Sequence, residues 1–336
     1  LFAFSPRVSH AQATRLWATY YGGAGLESNY AAVAADISDN VFMAGDTPGA
    51  AGLATAGAHQ TVYGGGFEDA FLVKFDAAGA RQWATYYGGA NDDWGLGAAT
   101  DASGNVYLSG ATNSTSGIAS GGFQNTLGGG TDSYLVKFNS SGVRLWATYY
   151  GGTGEDRGTG VAADASGNVY LAGETSSAAS VASGGFDNVF GGLYVAFLVK
   201  FNATTGARQW ATYYGGAGDE GGLFWGFPSV ATHTSGNVCL AGVTTSAASI
   251  ASGGFDNTLG GTTDAFLVKF NSSGARQWAT YYGGTGDETS YCVNADASDN
   301  VYLGGETSSA LGITTAGAFD VTLGGIKDVF LVKFDA

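Results

Sequence analysis

Residues 146–152 are WATYYGG, and the same seven letters begin at four other tryptophans of this 336-residue chain. The five copies start at Trp17, Trp83, Trp146, Trp210 and Trp278, so they lie 63 to 68 residues apart. A second string, FLVKF or YLVKF, begins at Phe71, Tyr134, Phe197, Phe266 and Phe330. A third, of the form DASGNVYLAGE, is centred on Asn40, Asn105, Asn168, Asn237 and Asn300. A repeat of this length predicts a tandem array of similar structural units.

Each repeat predicts four short strands, because apolar and β-branched runs alternate with turn residues and no helical period occurs. In the third copy we expect strand A at residues 159–164, strand B at 168–174, strand C at 195–201 and strand D at 208–214. Four antiparallel strands repeated in tandem are typical of a β-propeller blade. The sequence therefore predicts an all-β fold, a five-bladed β-propeller with four strands in each blade.

The order of the strings predicts how the propeller closes. The first string is a D strand at residues 15–21 and the last is a C strand at residues 328–334, so the fifth blade has no D strand after it. We expect the N-terminal strand to complete the last blade, because a free sheet edge would otherwise remain. The same geometry permits the N-terminal strand of one subunit to complete the last blade of another, which would build a polymer. The residues expected at this junction are Trp17, Thr19, Tyr21, Phe330, Val332 and Phe334.

The repeats divide the chain into a propeller at residues 15–336 and an N-terminal segment at residues 1–14. Residues 11–13, Ala-Gln-Ala, resemble the small-residue end of a secretory signal. The segment is therefore either the remnant of a signal peptide or an assembly arm. No apolar stretch approaches the roughly 18 to 20 residues that a membrane-spanning helix needs.

The charge balance limits the class of partner. The chain has 13 basic and 28 acidic residues, a formal net charge of −15, which disfavours nucleic acid and anionic membranes and favours cations. Cys239 and Cys292 fall at non-equivalent positions of different repeats, so they indicate neither a disulfide framework nor a metal site. We expect both to be small buried side chains.

Taken together, the repeated strings resemble a known family. The combination of Y-G-G-x-G-[DE]-[DE], D-A-S-G-N-V-Y-L-A-G-E-T-S, G-[GA]-F-[DQ]-x-[TV]-[LFY]-G-G and D-A-F-L-V-K-F is similar to the bacterial beta-propeller repeat family called SBBP, over essentially residues 15–336. The resemblance implies a non-catalytic module of a large secreted or surface-attached protein. Members are usually described as seven-bladed, whereas this chain carries five copies.

Acidic residues recur in the loops between strands D and A. Paired carboxylates in glycine-rich loops can hold Ca²⁺, so calcium is a candidate cofactor. The alternative is a set of solvated turns that cap backbone amides, because no loop supplies six oxygen ligands on its own. We expect these acids at the mouth of the central channel. The candidate ligands are Asp92, Asp93, Glu155, Asp156, Asp219, Glu220, Asp287 and Glu288, with Glu27 as a single acid in the first copy.

Aromatic residues break the symmetry of the repeats at two of these loops. Trp94 and Trp225 are the two tryptophans outside the WATYYGG strings, and Trp225 lies in an apolar insertion of the fourth repeat. If exposed, they would form a sugar-stacking or protein-contact patch, and if buried they would fill the channel or a gap between blades. The candidate ligand-binding residues are Trp94, Phe224, Trp225 and Phe227.

A further set of aromatic residues recurs in the long loops between strands B and C. We interpret it as a row of anchors that pin each loop to its blade. The set comprises Phe123, Phe186, Phe255 and Phe319, with His59 in the first copy.

Catalytic constellations are absent from the sequence. His10, His59 and His233 are scattered, and neither a nucleophile elbow nor a phosphate-binding loop occurs. We therefore expect no enzyme. The first hypothesis is a secreted or cell-surface structural or adhesive propeller, a filament or matrix subunit that binds itself or surface and matrix components. The alternative is a lectin-like propeller that binds carbohydrate on its loop-rich face.

Overall fold

The computed structural model describes residues 14–23, 27, 31–49, 52–221 and 227–336. Every regular element in these ranges is a β-strand, and the 19 strands form five antiparallel sheets. Among the described residues, no helix is long and apolar enough to cross a membrane. The expected all-β class and the propeller-like array of repeated sheets are confirmed.

The sheets follow one another along the chain. Sheet 1 contains β1 (Ala32–Ala35), β2 (Val41–Thr47), β3 (Asp69–Phe75) and β4 (Arg81–Tyr87). Sheet 2 contains β5 (Asp93–Thr100), β6 (Val106–Thr112), β7 (Asp132–Phe138) and β8 (Arg144–Tyr150). Sheet 3 contains β9 (Asp156–Ala163), β10 (Asn168–Thr175), β11 (Val195–Asn202) and β12 (Arg208–Tyr214). Sheet 4 contains β13 (Ser229–Thr232), β14 (Val238–Thr244), β15 (Asp264–Phe270) and β16 (Arg276–Tyr282), and sheet 5 contains β17 (Glu288–Ala295), β18 (Val301–Thr307) and β19 (Asp328–Phe334).

Within a sheet the strands pair in the order A-B-C-D. The turns between strands A and B are closed by an aspartate, as expected for Asx turns: Asp164 Oδ1 accepts from the backbone N–H groups of Ser166 and Asn168 at 2.9 Å. In sheet 2, Ala147 of strand D lies opposite Val136 of strand C. The same register recurs in sheets 1, 3 and 4, so the repeated strings produce repeated hydrogen bonding.

Neighbouring sheets pack face to face. Trp146 and Tyr150 of strand D share a buried cluster with Phe197, Val199 and Phe201 of strand C in the next sheet. The ring centroids of Tyr150 and Phe197 are 5.5 Å apart. The contacts between strands of different sheets join sheet 1 to 2, 2 to 3, 3 to 4 and 4 to 5. The period-two alternation of both strings explains this packing, because each sheet is buried on two faces.

The long loop between strands B and C covers the outer edge of strand D. In sheet 2, Ser120 and Ala147 exchange two backbone hydrogen bonds of 2.8 Å, and the N–H of Tyr149 donates to Gln124 O at 3.0 Å. Thr148 Oγ1 also accepts from the Gln124 N–H at 2.8 Å. Strand D is therefore held between strand C and the loop of its own sheet, which explains why these loops are longer than hairpins require.

The structure differs from the sequence-based expectation in the last sheet. Sheet 5 has three strands, and residues 14–23 form no strand and do not pair with β19. The expectation that the N-terminal strand completes the last blade is therefore wrong for this structure. Residues 15–21 lie against sheet 1 instead. The physical reason is that the side chains of Trp17 and Tyr21 pack on the surface of sheet 1.

Candidate functional site

Residues 15–21, RLWATYY, are bound to sheet 1 by two side chains. Tyr21 donates its hydroxyl to Leu53 O at 2.8 Å, and its ring lies 5.4 Å from that of Phe71. The ring of Trp17 lies 6.2 Å from Phe75, and a methyl group on Gly79 would be 2.8 Å from its indole. Burial raises the pKa of Tyr21 to about 12, so this hydroxyl stays protonated and donates.

These are the contacts that every strand D makes with the following sheet. Tyr87 of β4 donates to Ile118 O of sheet 2 at 2.6 Å. A methyl group on Gly142 of sheet 2 would lie 2.9 Å from the indole of Trp83. Residues 15–21 therefore occupy the place of a strand D from a sheet that would precede sheet 1. Ala18 and Tyr20 of the segment are exposed, whereas their counterparts Ala147 and Tyr149 in β8 are buried.

A matching groove lies at the other end of the array. It runs along the free edge of β19, between that strand and the loop of residues 314–324, and encloses about 850 Å³. We call it the fourth-strand slot. Leu331 is 77% exposed and Val329 is 84% exposed on its β19 side. The leucines at the equivalent position in the other sheets are fully buried against the sheet that follows: Leu72, Leu135, Leu198 and Leu267.

The structure divides the six predicted junction residues. Phe330, Val332 and Phe334 point into the cluster that β19 forms with sheet 4, where the ring of Phe330 lies 5.0 Å from that of Tyr282. They therefore offer the slot only their backbone. Trp17 and Tyr21 face sheet 1, and Thr19 is exposed.

Sequence analysis missed the side chains that line the slot, Leu331 and Val329. The signal was present, because the β19 string alternates and only one of its two faces can meet the preceding sheet.

The recurrent aromatic residues of the long loops are only partly the predicted anchors. Phe123 is 41% exposed, and the guanidinium of Arg208 from the next sheet lies 4.4 Å from its ring centroid. Arg276 lies 4.4 Å over Phe186 in the same way. Among the described residues no cation lies over Phe255, which is 73% exposed. Its arginine would belong to the strand D that sheet 5 lacks.

The second acid of each D–A loop is buried, and its place at the mouth of a central channel stays a prediction. Asp93 is fully buried, accepts from the Gly89 N–H at 2.7 Å and from Ser114 Oγ at 2.9 Å, and is also bonded to Thr112. Equivalent hydroxyl and amide donors surround the other three, Asp156, Glu220 and Glu288. Thus these carboxylates organise the loop that follows strand D.

The first acid of each loop lies nearer the surface. Asp219 Oδ1 accepts from the Tyr194 N–H at 3.2 Å, and Asp287 Oδ1 accepts from the Thr262 N–H at 3.2 Å. Asp92 and Glu155 are half-buried at the same position. No three Asp, Glu, His or Cys side chains of the described ranges converge as a metal site would require. The contacts match the amide-capping alternative, and calcium binding stays a prediction.

Two carboxylates meet where sheets 1 and 2 adjoin. A methyl group on Gly88 would lie 2.5 Å from Asp69 Oδ1 and 2.8 Å from Asp93 Oδ2. Burial, together with the neighbouring carboxylate charge of Asp93, raises the pKa of Asp69 to about 7. Burial raises the pKa of Asp93 to about 6, against hydrogen bonds that lower it. The junction of sheets 2 and 3 repeats this pair with Asp132 and Asp156.

Of the predicted ligand-binding residues, Trp94 and Phe227 are described and both are half-buried. Trp94 Nε1 donates to Glu68 Oε2 at 3.0 Å. Phe224 and Trp225 lie outside the described residues, as do His10 and the predicted signal-like residues 11–13.

The cysteines behave differently from each other. Cys239 is buried as expected, 3.0 Å from His233 Nε2, and burial raises its thiol pKa to about 12, so it is not an activated nucleophile. Cys292 is exposed, which corrects the expectation. The equivalent glycine of sheet 3, Gly160, faces the next sheet, and in the described chain no sheet follows sheet 5.

One part of the chain is similar to a known protein family. Residues 145–178 match the family model described as SBBP, beta-propeller repeat. Residues 145–178 are therefore similar to one SBBP repeat. The SBBP match runs from β8 through β10, so one matched unit joins the strand D of sheet 2 to strands A and B of sheet 3. No curated protein matches the chain.

Three solved structures are distantly similar to this chain. A protein of unknown function from Dyadobacter fermentans is 9% identical, with a TM-score of 0.47 over 95% of this chain and 78% of that one. Hydrazine synthase from Kuenenia stuttgartiensis is 8% identical, with a TM-score of 0.42 over 85% and 77%. An apocarotenoid oxygenase from Synechocystis is 9% identical, with a TM-score of 0.37 over 84% and 56%. These similarities are too weak to support an argument about function.

Proposed function

We propose that this chain is a non-enzymatic structural or adhesive propeller that acts outside the cell and associates with itself. The observation that supports the proposal most is the pair of unmatched surfaces at its ends. Residues 15–21 expose the face that a strand D normally buries. β19 in turn offers a free backbone edge and an exposed face that the other strands C bury against the following sheet. Free sheet edges with apolar neighbours are sites of protein–protein pairing.

The remaining side chains fit a structural role better than a catalytic one. The recurrent lysines of strand C bind backbone oxygens of the next sheet, as Lys137 Nζ does with Ala203 O at 2.9 Å. The buried acids recur at every junction between sheets, whereas an active site requires one differentiated set. The extracellular location is supported by the resemblance to SBBP repeats, which implies a secreted or surface-attached protein.

Sedimentation velocity of the 336-residue protein over a hundred-fold concentration range tests the self-association. We expect the weight-average mass to rise with concentration and negative-stain images to show particles larger than one chain. A single 33.9 kDa species at every concentration would contradict the proposal.

Protease treatment of intact cells tests the location. An epitope-tagged chain, expressed in the organism that produces it, should lose its tag when protease is added outside the cell. Protection of the tag until the cells are lysed would contradict an extracellular role.

Carbohydrate binding is the alternative, and one contact favours it. Trp94 presents a half-buried indole beside the Glu68 carboxylate, and an aromatic plane next to a hydrogen-bond acceptor is suited to a sugar ring. A glycan array with the native chain and Trp94→Ala tests this function, with the exposed Tyr291→Ala as the control. Binding lost only in Trp94→Ala would support it, and binding unaffected by that change would remove it.

A further inference from the structure

We propose that the fourth-strand slot of sheet 5 binds residues 15–21 of a second copy of this chain. The inference rests on the proposed self-association and names the segment, the register and the direction of assembly. The two surfaces are the exposed edge of residues 15–21 and the free edge of β19. Their pairing would give sheet 5 the fourth strand that sheets 1 to 4 already have.

The sequence of the donor segment supports this occupant. Residues 15–21 are RLWATYY, identical letter for letter to β8. β8 pairs with β7, DSYLVKF, and β19 is DVFLVKF, which has the same residues at five of seven positions. Transferred from sheet 2, the register places Thr19 opposite Leu331 and Tyr20 opposite Phe330, as Thr148 lies opposite Leu135 and Tyr149 opposite Tyr134.

The donor segment already makes one local hydrogen bond that is typical of strand D. Thr19 Oγ1 donates to Tyr20 O at 2.9 Å, and Thr85 and Thr148 make the same local bond at 2.8 and 2.7 Å. Little ordering of the donor would therefore be needed when it enters the slot.

The slot offers polar partners that match the donor. In the complete sheets the first tyrosine of strand D reaches the start of its own B–C loop: Tyr149 donates to Ser114 O and Tyr281 to Ser246 O, both at 2.7 Å. The equivalent acceptor in sheet 5 is Ser309 O, so it would receive the Tyr20 hydroxyl. Gln124 and Asp256 exchange hydrogen bonds with the strand D threonine of their own sheets. Asp320 has the equivalent position in the B–C loop of sheet 5, so it would meet Thr19.

Arg15 would supply the cation that Phe255 lacks. Arg208 and Arg276 each open a strand D and lie over the loop phenylalanine of the preceding sheet. In the slot of sheet 5, Arg15 has the same position relative to Phe255 of sheet 4. Phe255, Trp278 and Phe334 line one open groove beside β19, which leaves room for that side chain.

A second copy is favoured over closure within one chain. Trp17 and Tyr21 hold the donor on its own sheet 1, and the exposed Tyr20 and Leu331 show that this sheet does not meet sheet 5 of the same chain. Donation to another copy needs no rearrangement, because sheet 1 of that copy simply becomes the sheet after sheet 5. Such a head-to-tail interface leaves one donor and one slot free, so chains can be added at both ends.

Cysteine pairing in mixed chains tests this inference. All variants carry Cys292→Ser, since Cys292 is exposed, and Cys239 is buried. One tagged chain carries Thr19→Cys and a differently tagged chain carries Leu331→Cys, two exposed positions that the register makes directly opposite. We expect a disulfide-linked heterodimer under mild oxidation when the two are mixed. A chain with Val329→Cys in place of Leu331→Cys is offset by two residues and should link at least ten-fold less.

The possible results separate this inference from the proposed function. Association without the expected disulfide would overturn the strand donation and leave self-association standing. Absence of association would overturn both. If the double variant Thr19→Cys/Leu331→Cys forms a linked monomer rather than a ladder of oligomers, the ring closes within one chain and the inference is wrong. A peptide of residues 14–23 should compete with linkage, and failure to do so would also count against it.

Discussion

The buried carboxylates at the junctions between sheets are the residues that most directly couple the fold to solution conditions. Asp69 Oδ1 is buried with no hydrogen-bond partner among the described residues, and it faces the same glycine as Asp93. Placing two negative charges there is unfavourable, so the folded protein favours a protonated form. Sequence analysis placed these acids in loops but did not predict their burial, because burial depends on a neighbouring sheet.

These groups predict that the fold becomes more stable as pH falls from 8 to about 5. The pKa of Asp69 is about 7 and those of Asp93 and Asp132 are about 6 in the folded state, all above the unfolded value of 3.8, so the folded protein binds more protons in this window. Urea unfolding should show a gain on the order of 1 to 3 kcal/mol. His59 and His233 oppose part of this gain below pH 6.5, because burial lowers their pKa values in the folded state. Carboxylates with lowered pKa values, such as Asp101, oppose it only at lower pH.

Asp69→Asn is the matched variant for this pH effect. It should raise the free energy of unfolding at pH 8 and flatten the profile, because the charge repulsion with Asp93 is removed. A stability that falls steadily from pH 8 to 5, or a profile unchanged in the variant, would contradict the assignment.

A second residue-scale prediction concerns Gly142, whose φ of 81° and contact with Trp83 both oppose a side chain. Gly142→Ala should lower the free energy of unfolding by about 2 to 3 kcal/mol, from backbone strain plus overpacking. Gly167 has a similar φ of 79° with nothing within 4 Å of an added methyl group, so Gly167→Ala should cost only about 1 kcal/mol. Equal losses in urea titrations would show that the indole contact between sheets is unimportant.

At the scale of the element, β19 is a strand with one face occupied and one face free. Phe330 is packed under Tyr282, whereas Leu331 is exposed. A strand in this state is stable only because its inner edge pairs with β18 and one face meets sheet 4. We therefore expect Phe330 to contribute to the stability of the fold and the adjacent Leu331 to contribute to self-association.

Alanine substitutions at Phe330 and Leu331 should affect different properties of the protein. Phe330→Ala should lower the free energy of unfolding by about 3 kcal/mol through loss of a buried ring. Leu331→Ala should change the stability of the dilute chain by less than about 0.5 kcal/mol and weaken self-association about ten-fold or more, as measured by sedimentation. A Leu331→Ala chain that associates like the native protein would exclude the slot from the interface.

The repeated strands could be predicted from sequence because five copies of each string share one pattern. Strands C and D of sheet 3 begin where predicted, and strand A begins at Asp156 rather than residue 159 because the buried carboxylate opens it. The N-terminal segment was placed wrongly. Its letters are those of a strand D, but a strand forms only where a partner edge is available, and here the side-chain surface of sheet 1 binds the segment first.

At the scale of the whole molecule, the chain is an array whose two ends are complementary. Each junction buries the W-x-x-x-Y side chains of one sheet against the F-x-V-x-F side chains of the next. Residues 15–21 supply the strand D side chains of such a junction to sheet 1. Sheet 5 has a slot for a strand D, but among the described residues no strand lies in it. The strings alone indicate an unpaired strand D string at residues 15–21 and a strand C without a strand D beside it at β19. That these two do not meet within the chain could be seen only in the structure.

Deleting the donor segment should therefore affect both self-association and stability. A chain without residues 1–21 should not associate, and it should be less stable because Phe71 and Phe75 lose Tyr21 and Trp17. A chain without residues 1–13 retains RLWATYY and should associate like the native protein. Sedimentation velocity together with urea unfolding of both chains measures these effects, and association of the shorter chain would rule out the donor segment.

Hydrogen–deuterium exchange of β19 over a range of protein concentrations measures whether its free edge is covered when the chain associates. We expect the β19 amides that point away from β18 to exchange rapidly in the dilute chain and to become protected as the chain associates, while β15, which pairs on both edges, is protected throughout. Protection of β19 that is already complete in the dilute monomer, or exchange that stays rapid in the assembled protein, would contradict this expectation.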